Sequence, residues 1–281
     1  MRIHGHSLTL AGALCLLVAG CRAPQVPETL HAFDGSAVPA GAAGDEILRG
    51  HAILADTYDS LHDYVTSTLR CTSCHLDDGR RSSAMPLTAA AVHFPRYSAR
   101  SGATETLQDR INECVRRSLA GRALPDSSSA MRDMVSYLTW LSHGAPAGTP
   151  PPDAGLALAA ATAADTAHGG DVAAGNLIYF KTCVRCHAAD GSGTPGGPPV
   201  WGPQSFSIGA GMARRRTATA FIQHNMPYNQ PGALSDAEAA AVAAYITSQP
   251  RPDLVGKEND WPRGDAPVDV AYATRAGRPL P

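Results

Sequence analysis

The sequence predicts an all-α protein made of two small helical domains in tandem, on three observations. A short cysteine and histidine motif occurs twice, as "CTSCH" at 71–75 and "CVRCH" at 183–187. Apolar residues recur at helical spacing around both copies, and no strand-like alternation of any length competes with them. Between the halves runs "GAPAGTPPPDAGLALAAATAADTAHGG", rich in Ala, Pro and Gly and nearly free of charge, which reads as a linker.

The elements follow in order. Residues 1–21 carry a basic start at Arg2, an apolar run from Leu8 to Val18 and small residues before Cys21. That run is too short to span a bilayer and reads as an export signal. "LVAGC" resembles a bacterial lipoprotein box, so Cys21 is expected to carry a lipid anchor in the envelope, with the protein periplasmic and Cys15 removed. The remaining chain, roughly 260 residues, suggests two domains. They are expected at 45–144 and 171–250, with a linker at 145–170 and a tail at 251–281. In the first, Ile47, Leu54, Tyr58, Leu61 and Val65 predict a helix ahead of the motif. Asp126 or Ser127 is expected to cap a closing helix with Met131, Met134, Val135, Leu138 and Leu141 on one face. In the second, Val172 to Phe180 forms a shorter apolar segment, and Ser235 with Glu238 forms a capping box before Ala239, Val242, Ala243 and Ile246. A formal charge of -2 gives no sign of nucleic-acid binding or of membrane affinity beyond the anchor.

Each repeated pentapeptide is a C-x-x-C-H haem attachment site. The paired thiols Cys71 and Cys74, and Cys183 and Cys186, form thioethers, and His75 and His187 become proximal iron ligands. Two such sites in an exported chain predict two covalently bound haem c groups and two tandem class I cytochrome c-like domains. Aromatics make up only 6% of the chain, thin for two cores unless such a cofactor fills them.

Electron-transfer haems usually take a second axial ligand from a downstream loop. In the second half "HNMPYNQPG" offers Met226, with His224 and Met212 as alternatives. The separation from His75 to Cys114 (114 − 75) equals that from His187 to Met226 (226 − 187), 39 residues in both. Cys114 therefore occupies the distal position of the first half. Seven cysteines leave it without an intramolecular partner once four bind haem and Cys21 binds lipid. The alternatives are a buried structural cysteine, with His93, Met131 or Met134 as the ligand. On a helix, Arg110, Cys114 and Ser118 share one stripe beside Leu107, Ile111, Val115 and Leu119. With Arg100, Arg116 and Arg117 nearby, this surround suggests an anion site, the alternative being arginines that pair with the haem propionates.

At these residues the chain resembles the dihaem thiosulfate dehydrogenases. The matching stretches are "RINECVRRSLAGRALP", "MVSYLTWLS", "WGPQSFSIGAGM", "NMP", "LSDAEAAAVAAYI" and "KENDWPRGDAP", over most of residues 45–270. The resemblance implies that Cys114 is the distal ligand of a catalytic haem, that Arg100, Arg110 and Ser118 bind substrate, and that a His187/Met226 haem passes electrons out. It implies coupling of two thiosulfates into tetrathionate, reversible as tetrathionate reduction. The electron acceptor would be another cytochrome c or a high-potential iron-sulfur protein. Some relatives carry a lysine before the distal methionine, where this chain has Asn225, which puts ligand exchange through that lysine in doubt. The competing functions are a plain dihaem electron carrier and a haem subunit of a larger sulfur-oxidising complex.

Overall fold

The computed structural model describes Met1, residues 33–146 and residues 171–276. The expected signal, Cys21 and linker residues 147–170 lie outside the described residues. Three main helices build each half: α1 (Ala42–Ala55), α2 (Leu107–Arg117) and α3 (Ser129–Leu141), then α4 (Val172–Thr182), α5 (Arg215–Asn225) and α6 (Asp236–Ser248). A small antiparallel hairpin, β1 (Arg96–Ser98) with β2 (Ala103–Glu105), is the one sheet among the described residues. Its three-residue strands are too short to leave a period in the sequence.

The halves repeat one packing device. Gly50 of α1 lies against the Asp133 carbonyl of α3, and Gly175 of α4 lies against the Ala241 carbonyl of α6. In each pair a Cβ would drive the helices apart, so glycine permits the close crossing. Four residues on, fully buried Tyr137 stands in the first crossing, and Tyr245 stands in the second.

Three expectations shift. The first apolar stripe is not one helix, because Asp56 leaves helical geometry. Buried Thr57 then donates to the Leu54 carbonyl and accepts from the Cys71 amide at 3.0 Å, which pulls the chain toward the first motif. Leu61 and Val65 still reach the core, but Tyr58 points outward. The closing helix α3 is capped by Ser128, whose Oγ accepts from the Met131 amide at 3.2 Å. Asp126 and Ser127 sit inside the turn closed by the Ser128 N–H on the Pro125 carbonyl, so neither can cap. In α6 the expected capping box of Ser235 and Glu238 is present.

The halves interlock. Phe206, Ala210 and Ala213 complete the core of the first half. Ser67 Oγ donates to the Gln204 carbonyl at 2.8 Å, and the Ser207 N–H donates to the Arg117 carbonyl at 3.0 Å. Among the described residues no helix is long and apolar enough to cross a membrane.

Candidate functional site

Both attachment motifs lie on tight turns that present their thiols inward. Cys71 opens a 3-10 turn, Cys183 caps α4, and Cys186 follows in the next turn. All five described cysteines are free. Burial pushes the Cys71 thiol up to about 11, Cys74 to about 12 and Cys183 to about 11, so these sulfurs favour an uncharged state. A thioether satisfies that preference. His75 Nδ1 donates to the Met85 carbonyl at 2.6 Å, and His187 Nδ1 donates to the Pro198 carbonyl at 2.8 Å. A carbonyl can only accept, so each ring carries its proton on Nδ1 and keeps the Nε2 lone pair for a metal. Arg80 Nη1 and Arg251 Nη1 are buried with no hydrogen-bond partner among the described residues, a pattern that suits an anionic group beside them. In both halves the donor set fits haem c.

Cys114 lies on α2, which is capped by Thr106 and Asp109. Its thiol interacts with the His75 imidazole at hydrogen-bond range. Burial opposes ionisation there, but the Arg110 guanidinium and the His75 contact outweigh it and bring the thiol down to about 7. Arg100 is placed by two contacts. Its Nη1 donates to the Gly209 carbonyl at 3.1 Å, and its guanidinium lies 4.9 Å over the Trp261 ring. Burial lowers its pKa, and so do the like charges of Arg117 and Arg110. Ser118 caps α2 with its N–H on the Cys114 carbonyl at 2.8 Å. Arg110, Cys114 and Ser118 thus follow one another at single-turn intervals along α2, with the Arg110 charge acting on both Cys114 and Arg100.

Arg116 and Arg117 do not join that set as free cations. Arg116 pairs with Glu113 at 2.5 Å. Arg117 bonds Glu113 and also holds Asp260 through Nη1 at 2.7 Å and Nη2 at 2.8 Å. Glu113 at helical spacing from both was the sequence signal for this pairing. The tail residues Asp260, Trp261 and Tyr272, all buried, left no periodic trace.

For the second half, Met226 is the α5 C-cap and packs against the second core. His224 is exposed, and Met212 packs on the first core. Met131 and Met134 are buried in that first core, while His93 stacks edge-on with Phe94. Met226 also joins Leu76, Ala84, Met85 and Phe221 in an apolar cluster that spans the halves. Beside it, fully buried Asn225 accepts from Ser83 Oγ at 2.9 Å and donates to the Ser83 carbonyl at 2.9 Å. The loop that orients His75 is therefore bonded to the loop that presents Met226.

Residues 64–147 match the family described as SoxA/TsdA, cytochrome c domain, and residues 170–246 match cytochrome C oxidase, cbb3-type, subunit III. The chain is 40% identical over 248 residues to a thiosulfate dehydrogenase of Psychrobacter arcticus, covering 86% of this chain and 74% of that protein. It is 38% identical over 264 residues to a thiosulfate dehydrogenase of Allochromatium vinosum, covering 90% of this chain and 96% of that one. Among solved structures it resembles thiosulfate dehydrogenase (TsdBA) from Marichromatium purpuratum in its as-isolated form, with a TM-score of 0.71 at 30% identity over 86% of this chain. The chain spans 54%, about half, of the length of that structure's chain.

Proposed function

The chain belongs to the thiosulfate dehydrogenase family and carries two cytochrome c domains with covalently bound haem c, and we propose that it couples two thiosulfates into tetrathionate at Cys114. Cys71, Cys74 and His75 would hold the first haem, with Cys114 as a further ligand to its iron. Cys183, Cys186 and His187 would hold the second with Met226. Each haem, when bound, supplies an iron that accepts one electron at a time. The observation that carries the reading is the Cys114 thiol facing His75 with Arg110 acting on its charge.

Charge is the first obstacle to this reaction. Two dianions about 5 Å apart repel by roughly 3 kcal/mol at the dielectric of water and by roughly 13 kcal/mol at an effective dielectric of about 20. Arg100 and Arg110 offset that repulsion, and Ser118 donates a hydrogen bond that orients the sulfonate. Arg116 and Arg117 are paired with carboxylates, which offsets part of their cationic field.

A thiol that ionises near neutrality makes Cys114 a nucleophile as well as a ligand. Its thiolate and the outer sulfur of one thiosulfate form an S–S bond with loss of two electrons. The outer sulfur of the second thiosulfate then attacks that same sulfur, releases tetrathionate and returns the Cys114 thiolate. Run backwards, the sequence reduces tetrathionate.

The export signal and Cys21 support a periplasmic, lipid-anchored protein. An external acceptor, another cytochrome c or a high-potential iron-sulfur protein, would then collect electrons at the Met226 side. The test is anaerobic addition of thiosulfate to the fully oxidised dihaem protein. The enzyme becomes reduced without any other donor, whereas a plain electron carrier stays oxidised and refutes the proposal.

A further inference from the structure

The tail beyond α6 supplies no haem ligand, yet it is buried against the first half. Asp260 is 6% exposed, Trp261 4% and Tyr272 7%. Two contacts pin the segment to the hairpin. Pro262 closes on Gly102 at the hairpin turn, and the Arg263 guanidinium lies 4.8 Å over the Tyr97 ring. Trp261 itself adopts φ +50, a conformation bulky residues rarely take. Its backbone N–H donates to the Arg100 carbonyl at 2.7 Å, and its ring lies under the Arg100 guanidinium at 4.9 Å.

The tail treats two neighbouring arginines in opposite ways. Arg117 meets a carboxylate: Asp260 accepts both of its terminal nitrogens and also the Tyr272 hydroxyl at 2.6 Å. That contact holds the guanidinium and offsets part of its charge. Arg100 meets an aromatic face, which holds a guanidinium by its quadrupole and leaves the positive charge available. The difference matters because burial disfavours the Arg100 charge and the like charges of Arg117 and Arg110 add to that, so the guanidinium needs a contact that holds it. Its side chain is held by the Gly209 carbonyl at one guanidinium nitrogen and by the Trp261 ring across the guanidinium face.

We propose that Trp261 is a positioning residue of the anion site, holding Arg100 beside Arg110 against mutual repulsion without neutralising it. The role rests on the reading that Arg100 and Arg110 bind thiosulfate. Trp261 does not touch the reacting sulfurs and acts only through Arg100, so its loss should weaken anion binding more than it slows the chemical step.

The experiment uses the complete dihaem protein with Trp261→Leu, Trp261→Phe and Arg100→Lys, singly, and with Trp261→Leu combined with Arg100→Lys. Steady-state thiosulfate oxidation gives KM and kcat. Titration of the first haem's electron paramagnetic resonance signal with thiosulfate reads anion binding independently of turnover. Trp261→Leu is expected to raise KM and the titration midpoint about tenfold, with kcat within about twofold. Trp261→Phe should recover most of the loss, and Trp261→Leu should add nothing in the Arg100→Lys background. An unchanged midpoint in Trp261→Leu overturns the proposal, and so does an equal further loss in the Arg100→Lys background. A Trp261→Phe variant as weak as Trp261→Leu, with the first haem's unliganded spectrum altered, reduces Trp261 to a structural residue and also overturns it. A wild type that binds thiosulfate but never oxidises it would sink the enzymatic reading alone, and the titration would still decide the role of Trp261.

Discussion

Replacing Asn225 by alanine removes one polar tie between the halves, and its cost can be worked bond by bond. Asn225 is fully buried, accepts from Ser83 Oγ at 2.9 Å, and donates to the carbonyls of Ser83 at 2.9 Å and Phe221 at 3.0 Å. Each bond contributes about 1 kcal/mol net, and the Ser83 groups left behind are themselves sheltered, so the loss is about 3 kcal/mol. For a protein of this size each kcal/mol moves the melting temperature by roughly 2–4 °C, which puts the variant roughly 6–12 °C lower. The perturbation falls on the residue before Met226, so the ferric methionine charge-transfer band of the second haem should weaken at temperatures where the fold is still intact. The assay is a thermal melt of the oxidised protein followed in parallel by far-ultraviolet circular dichroism and by that band. A melt within about 2 °C of wild type, with the band lost only at global unfolding, would refute the idea that this contact seats the Met226 loop.

Four further outcomes are expected. Met226→Leu should abolish the methionine charge-transfer band while exposed His224→Ala keeps it, and the reverse pattern would reassign the ligand. Ser235→Ala should lower stability by about 1 kcal/mol and leave both haem spectra unchanged, read by a thermal melt. In the same capping box the Glu238 carboxyl is held below its ordinary value by the Ser235 backbone and side chain. A depressed carboxylate stabilises the fold above its unfolded pKa, so the Glu238 contribution is present at neutral pH and is lost as acid carries the solution down through the folded pKa. Gly175→Ala should force α4 and α6 apart at the Ala241 carbonyl, cost about 1–3 kcal/mol and reduce incorporation of the second haem, counted by pyridine haemochrome.

What the sequence revealed and what it hid follow from the range of each interaction. The attachment motifs, the Arg110–Cys114–Ser118 stripe and the Ser235 capping box are set by neighbours within a turn or two, so spacing alone exposes them. The equal separations from His75 to Cys114 and from His187 to Met226 carried the duplication across the chain. The Asn225–Ser83 and Asp260–Arg117 contacts join residues 142 and 143 positions apart, and no local period reports such pairs. In sequence Arg116 and Arg117 resemble members of an anion site because their charge is plain, while Glu113, one helical turn away, pairs with both. The stop of α1 at Asp56 was hidden for a related reason. Leu61 and Val65 stay buried after the helix ends, so the apolar stripe outlasts the element that predicted it.

The most direct test of Cys114 as the reacting centre is tetrathionate formation from thiosulfate and ferricyanide, measured on wild type and on Cys114→Ala at matched content of both haems. Tetrathionate from wild type and none from the variant is the predicted result. Equal tetrathionate from both would contradict the assignment and leave Cys114 as a ligand that only tunes the potential of the first haem.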